Sequence, residues 1–333
     1  MTVGLLTQRS DAGLQNSFRA ATANAGSVYV GGSVMQSQAA GDRIWVLTCI
    51  RACEASWSGA DREQLVEVAA SGTATIVRRL PLSDVSAFVI VGNGIWVAHF
   101  KSGDIERLNP ATARVTARVR MRLRVPIVPG DRRFLPISLT ASGGYLLVSS
   151  ARGWIAEINT RTATLVRMVT TPSEDNQTAT DRYGTWVAED LDGFGVLAPH
   201  RLRLRIHIIM QAGLPLDVYS VISGGGVIWA LAETNAYPSP DRLLVIEINP
   251  RTDRILRRKQ FPPDSRGAVV VGGALYVGDL AQGSVYRISR DGTIARFATP
   301  RHDAALAAAS AGVLWATTTA KPGRLLRISL PGA

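Results

Sequence analysis

The sequence predicts an all-β fold, a seven-bladed β-propeller, on three observations. A short apolar phrase recurs seven times, turn residues follow it at a similar offset, and no long stretch carries a helical 3.6-residue apolar period. The phrase reads RIWVLT, GIWVAHF, YLLVSS, GTWVAED, VIWALAE, ALYVGDL and VLWATT. Its central residues are Trp45, Trp96, Leu147, Trp186, Trp229, Tyr276 and Trp315, spaced by 51, 51, 39, 43, 47 and 39 residues. Seven units of about 48 residues, each the size of four short strands with their turns, absorb residues 1–333 as one domain.

The second unit shows how each element is assigned. Val85–Val91 reads as its innermost strand, Ile95–Phe100 as the second, Asp104–Asn109 as the third and Arg114–Val119 as the outer strand. The second strand is apolar throughout because a blade lies between two others and buries both faces. Turns between third and outer strands are marked by Asn109-Pro110-Ala111-Thr112, Asn159-Thr160-Arg161-Thr162, Asn249-Pro250-Arg251-Thr252 and Ser289-Arg290-Asp291-Gly292. These residue types preset φ or bond their own backbone. The first unit's innermost strand is expected near Ser27–Gly31. The seventh unit ends after its third strand, Leu325–Ser329, with too few residues left for an outer one. Residues 1–26, through Phe18–Thr22, are expected to supply it and close the ring, which leaves no free edge at the closure.

Composition agrees with a packed chain. Apolar residues make up 46% and charged residues 19%, which excludes a disordered polypeptide. The 31 glycines and 16 prolines fit a fold made of turns. The net charge is +11, and only Lys101, Lys259 and Lys321 of the 37 basic residues are lysines. That ratio matches the codon bias of a GC-rich, bacterial genome as well as it matches a polyanion partner. No transmembrane segment or signal peptide is visible; the chain reads as cytoplasmic if Met1 is its natural start and as exported if a signal has been removed. A monomer is expected.

The repeated G-x-I-W-V and the I-x-R-L-N-P-x-T-x-x-V that follows it resemble the streptogramin B lyase (virginiamycin B lyase) and YVTN propeller families, from about Arg43 to Ser329. These are packing and turn residues, so they speak to fold more than to chemistry. The resemblance implies Mg²⁺ held by acidic and histidine residues on the propeller's top face. There they draw a proton from beside a carbonyl and open an ester without water. Glu189 matches the acid ending the family's W-x-x-E phrase, and Glu233 stands one position past it. The other phrases carry Thr48, Ser150 and Thr318 there, and no H-x-E or E-x-H pair occurs in the chain.

Functional residues are expected where loops lengthen. In a propeller the connections from second to third strand, and from one blade to the next, open on the top face. Here they expand at Thr48–Glu63, Met121–Leu135, Thr170–Thr180 and Glu233–Asp241, whereas the bottom turns stay short. Second strands end on that rim with Thr48, His99, Ser150, Glu189, Ala232, Asp279 and Thr318, beside Asp190 and Glu233. Innermost strands begin there with Asp84, Arg133, Asp264, His302 and Asp303. Glu189, Glu233 and Asp279 are the candidate metal ligands; the oxygen-rich set suits Mg²⁺ or Ca²⁺, and two imidazoles would also admit a transition metal. Glu189, His99 and His302 are the catalytic candidates, and Asp190, Glu233, Asp279, Asp84, Asp264, Asp303 and Arg133 the ligand-binding ones. The leading expectation is a propeller that binds a protein or small-molecule ligand through its top face, with no confirmed catalysis. A metal-dependent lyase or hydrolase at the same mouth is the alternative.

Two further features stand apart. Cys49 and Cys53 form either a small loop disulfide or two free thiols, depending on compartment. Arg118, Arg120, Arg122 and Arg124 alternate, as do Arg201, Arg203 and Arg205, so each set shares one side of an outer strand. Such charge protects an edge, or it forms a polyanion surface, although no aromatics interleave as base-stacking platforms.

Overall fold

The computed structural model of the protein describes residues 26–50, 62–70, 75–122, 134–171, 177–181, 183–189, 193–197, 204–207, 210–211, 214–215, 217–233, 243–262, 265, 267–310, 313–318 and 323–329. It is an all-β propeller, with no helix among the described residues. After β1 (Ser27–Tyr29), the first sheet holds β2 (Ser33–Ala40), β3 (Arg43–Cys49), β4 (Glu63–Ala69) and β5 (Thr75–Leu82). The second holds β6 (Val85–Val91), β7 (Gly94–His99), β8 (Asp104–Leu108) and β9 (Val115–Arg120). The third holds β10 (Pro136–Ser142), β11 (Tyr145–Ser150), β12 (Trp154–Asn159) and β13 (Thr164–Thr170). The fourth holds β14 (Thr178–Thr180), β15 (Thr185–Glu189), β16 (Gly193–Leu197) and β17 (Leu204–His207), before a short hairpin of β18 (Met210–Gln211) and β19 (Leu214–Pro215). The fifth holds β20 (Asp217–Gly224), β21 (Val227–Glu233), β22 (Leu243–Asn249) and β23 (Arg254–Gln260). The sixth holds β24 (Ala268–Val271), β25 (Ala274–Asp279), β26 (Ser284–Ile288) and β27 (Ile294–Ala298). The last sheet is β28 (Ala304–Ser310), β29 (Val313–Thr318) and β30 (Arg324–Ser329), with β1 antiparallel to β30.

Sequence and structure part at the start of the chain. Ser33–Ala40, not Ser27–Gly31, is the innermost strand of the first sheet, and Ser27–Tyr29 lies on the outer side of β30. Gly31 and Gly32 cause the difference, with φ of 81° and 60°. They turn the chain from one sheet into the next, and a Cβ on Gly32 would stand 2.0 Å from the Cys49 carbonyl oxygen. Phe18–Thr22 lies outside the described residues.

The repeated phrase supplies the packing between sheets. Trp45 packs with Phe88 and Ile95 between the first and second sheets, and Trp96 with Leu146 and Val148 between the second and third. Leu147, in the aromatic's place, meets Val187; Trp186 meets Ile228; Trp229 meets Leu275; Tyr276 meets Leu314. Trp315 packs with Ile44 and Val46, bringing the last sheet against the first. Each central residue is thus buried against the next sheet along the chain, and the last against the first.

Polar side chains on innermost strands join the sheets. Gln36 and Gln38 accept the Phe88 and Ile90 backbone N–H groups, both at 2.9 Å. Ser86 donates to the Pro136 carbonyl at 2.6 Å, and Thr140 to the Thr178 carbonyl at 2.9 Å. Ser310 donates to the Gly41 carbonyl at 2.5 Å. The inner strand edges, which have no neighbouring strand, gain partners this way.

The bottom turns follow the residues that marked them. Asn109 Oδ1 accepts from the N–H groups of Ala111 and Thr112 at 2.8 and 3.1 Å, and Asn159 Oδ1 from those of Arg161 and Thr162, both at 3.0 Å. Four residues after each Asn, Ala113, Ala163 and Asp253 hold φ of 55°, 53° and 57°.

Candidate functional site

The ends of β7, β15, β21 and β25 carry His99, Glu189, Glu233 and Asp279 to one end of four sheets. Their environments differ. His99 is held within its own sheet: Nδ1 lies 3.1 Å from the Ser83 carbonyl and Nε2 3.2 Å from Glu106 Oε2. Glu106 in turn accepts from Arg118 at 2.5 Å. Asp84, at φ 59°, turns its carboxylate onto the next connection, where it accepts from the Lys101 N–H at 3.1 and 3.0 Å and from the Ser102 N–H at 3.4 Å. Thr48, Ser150 and Ala232 are fully buried, and Thr318 accepts the Arg324 N–H at 2.9 Å.

Asp279 is 1% exposed, opposite Ser284 across β25 and β26. Ser284 Oγ receives Arg296 Nε and Nη2 at 2.8 and 2.6 Å, and the Arg296 guanidinium lies 5.9 Å from the Tyr286 ring centre. Burial pushes the Tyr286 phenol up; Arg296 opposes this and Asp279 adds to it. Asp279 therefore sits in an interior polar cluster. His302 lies on the connection into β28, where its N–H bonds the Leu280 carbonyl at 2.8 Å. Its Nε2 is buried and has no hydrogen-bond partner among the described residues. Asp303, next to it, is exposed.

Glu233, like Asp303, is exposed. It ends β21 opposite Asp217, the first residue of β20, and opposite Leu243 on the other side. Tyr219 is close by, its phenol pushed far up by burial first and then by Glu233 and Asp217, so it stays protonated. Sequence reading missed Asp217 and Tyr219, because a register shift between Val218 and Ser220 decides what faces Glu233. Asp190, Asp264 and Arg133 lie outside the described residues; Glu189 is placed by its backbone alone.

The residues resembling a Mg²⁺ set do not assemble among the described side chains, where no group of three His, Cys, Asp or Glu converges on one point. Mg²⁺ takes near-octahedral oxygen ligands, and the described side chains present no such set. Cys49 is disulfide-bonded, and Cys53 lies outside the described residues. Of the alternating arginines, Arg118 and Arg120 stand opposite Glu106 and Asp104 and pair with them at 2.5 and 3.5 Å. Arg122 is exposed; Arg124, Arg201 and Arg203 lie outside the described residues, and Arg205 is placed by its backbone.

No protein-family model and no curated protein sequence matches the chain. Solved structures do. Virginiamycin B lyase from Staphylococcus aureus aligns with a TM-score of 0.64 at 11% identity, over 92% of this chain and 99% of that one. A streptogramin B lyase gives 0.64 at 13% identity, covering 92% and 97%. BamB from Moraxella catarrhalis gives 0.56 at 16% identity, covering 91% and 84%. At these identities the likeness is one of fold.

Proposed function

We propose that the chain is a seven-bladed binding propeller, ringed through β1 and β30, whose top face receives a cationic group of a protein or small-molecule ligand without turning it over. The observation that carries this is the contrast between Glu233 and the third-strand acids. Glu67, Glu106, Glu157 and Glu247 each face an arginine across the sheet. Glu233 faces Asp217 instead. Like charges opposite one another destabilise a strand pair, and a bound cation relieves that repulsion. Glu189, at the end of β15, is the acid at the matching strand end of the neighbouring blade, with His302 and Asp303 on the connection into β28.

The likeness to streptogramin B lyases supports the rival, a metal-assisted lyase at the same mouth. Virginiamycin B incubated with the protein and Mg²⁺, and followed by chromatography, separates the two. Unchanged antibiotic is expected. Ring opening at constant mass, abolished by Glu189→Ala, would replace the binding reading with the lyase. Calorimetry with spermidine tests binding directly: uptake weakened about tenfold in Glu233→Gln is expected, and affinity indifferent to that change would remove the cation site.

A further inference from the structure

The seam between the first and second sheets opens on the bottom face, opposite the mouth just described, into a recess of about 270 Å³. Trp45, Ile90, Ile95 and Pro110 form its apolar walls, and Glu67 and Arg78 its polar end. The seam between the fifth and sixth sheets is an internal control. It carries the same device, an outer-strand arginine that pairs with its own sheet's glutamate and reaches the next sheet's turn. Arg78 Nη1 donates to the Pro110 carbonyl at 2.5 Å, and Arg257 Nη1 to the Arg290 carbonyl at 3.0 Å. Yet only about 10 Å³ remains beside Glu247 and Arg257.

The inner turns differ between the two seams. At the fifth and sixth sheets they touch: a Cβ on Gly225 would stand 2.4 Å from the Gly273 carbonyl oxygen, and one on Gly224 2.3 Å from Val270. At the first and second sheets Gly41 and Gly92, in the equivalent turns, have nothing within 4 Å of a Cβ. The recess has room for several water-sized volumes of about 30 Å³.

Its charge selects the occupant. Glu67 is nine-tenths buried, 2.6 Å from Arg78 Nε and 3.7 Å from Arg43 Nε. Both guanidinium side chains remain about a third exposed. Arg43 engages Asp42 and Glu67 through Nε at 3.5 and 3.7 Å, beside the recess rather than in its wall. Arg107 stands at the lip, held by Asn93 Oδ1 at 3.1 Å. Three arginines thus meet one buried carboxylate and the largely exposed Asp42. We propose that this recess binds a small aryl carboxylate, its ring against Trp45, Ile90 and Ile95 and its carboxylate on Arg43 and Arg78.

Calorimetry on the intact chain with phenylacetate tests this, with benzylamine and benzyl alcohol as probes of opposite and no charge. Phenylacetate is expected to bind in preference to both. Arg43→Gln, which leaves the Glu67–Arg78 pair in place, should weaken it about tenfold, as loss of one charge-assisted contact requires. Ala111→Leu and Ala40→Leu, which narrow the recess from two sides, should abolish binding while Glu189→Ala leaves it unchanged. No binding at millimolar phenylacetate, equal binding of benzylamine, or unchanged affinity in both leucine variants would each overturn the proposal.

Discussion

Asp84 shows how a single side chain can be demanded by its backbone and by its neighbours at once. Its φ of 59° is one that Asp tolerates better than most residues, and its carboxylate holds the Lys101 and Ser102 amides. Asp84→Ala should lose both contributions, about 1.5–3 kcal/mol for the charge-assisted bonds and about 1 kcal/mol of strain. Asp84→Gly should lose the first alone, so urea unfolding is expected to rank wild type above Gly and Gly above Ala. Equal stability of the two variants would mean that the turn stores no strain. At this scale the sequence was legible wherever the chemistry is local. Asn109, Asn159 and Asn249 announce their turns because an Asx side chain bonds amides two and three residues on. Asp84 read only as a rim carboxylate, since the amides it holds lie 17 and 18 residues away.

Pairs of strands carry the next level of organisation. Four third strands, β4, β8, β12 and β22, bury an acid, and the outer strand sets an arginine across from it: Arg78 on Glu67, Arg118 on Glu106, Arg167 on Glu157 and Arg257 on Glu247. Glu247 is the most buried of the four, and burial pushes its carboxyl up from the ordinary value of 4.5 while Arg257 and Arg290 pull it down. A carboxyl raised in the folded state binds its proton more tightly there than in the unfolded chain. Stability is therefore lost as pH rises from the unfolded value through the folded one. Glu247→Gln should flatten that part of the profile, and urea unfolding across about pH 4 to pH 7 checks it. A steeper fall in the variant would reverse the sign. Strand limits were legible to within a residue in the second sheet, where Val85–Val91 is β6 and Asp104–Asn109 is β8 extended by one. The acid–arginine pairs were not, because bulges such as that between Glu247 and Ile248 reset which residues face each other.

Across the whole molecule, chain ends and seams govern stability. β1 pairs with β30, while the Val30 N–H bonds the Gly323 carbonyl at 3.1 Å and the Gly323 N–H the Gly32 carbonyl at 2.7 Å. Deleting residues 1–31 should leave the outer edge of β30 bare, lower the melting temperature by several degrees and produce dimers through edge pairing, read by calorimetry and size exclusion. A truncated chain that melts unchanged as a monomer would show that β1 is dispensable. Strand type, phrase spacing and turn position were legible in the amino-acid order because each depends on residues close in the chain. What faces Glu233, where the first innermost strand begins, and why one seam opens while its counterpart closes were not. These depend on register and on how turns some 50 residues apart approach each other, as those of Gly225 and Gly273 do. No local pattern encodes the distance between two packed sheets; it emerges when all the side chains in the seam settle together.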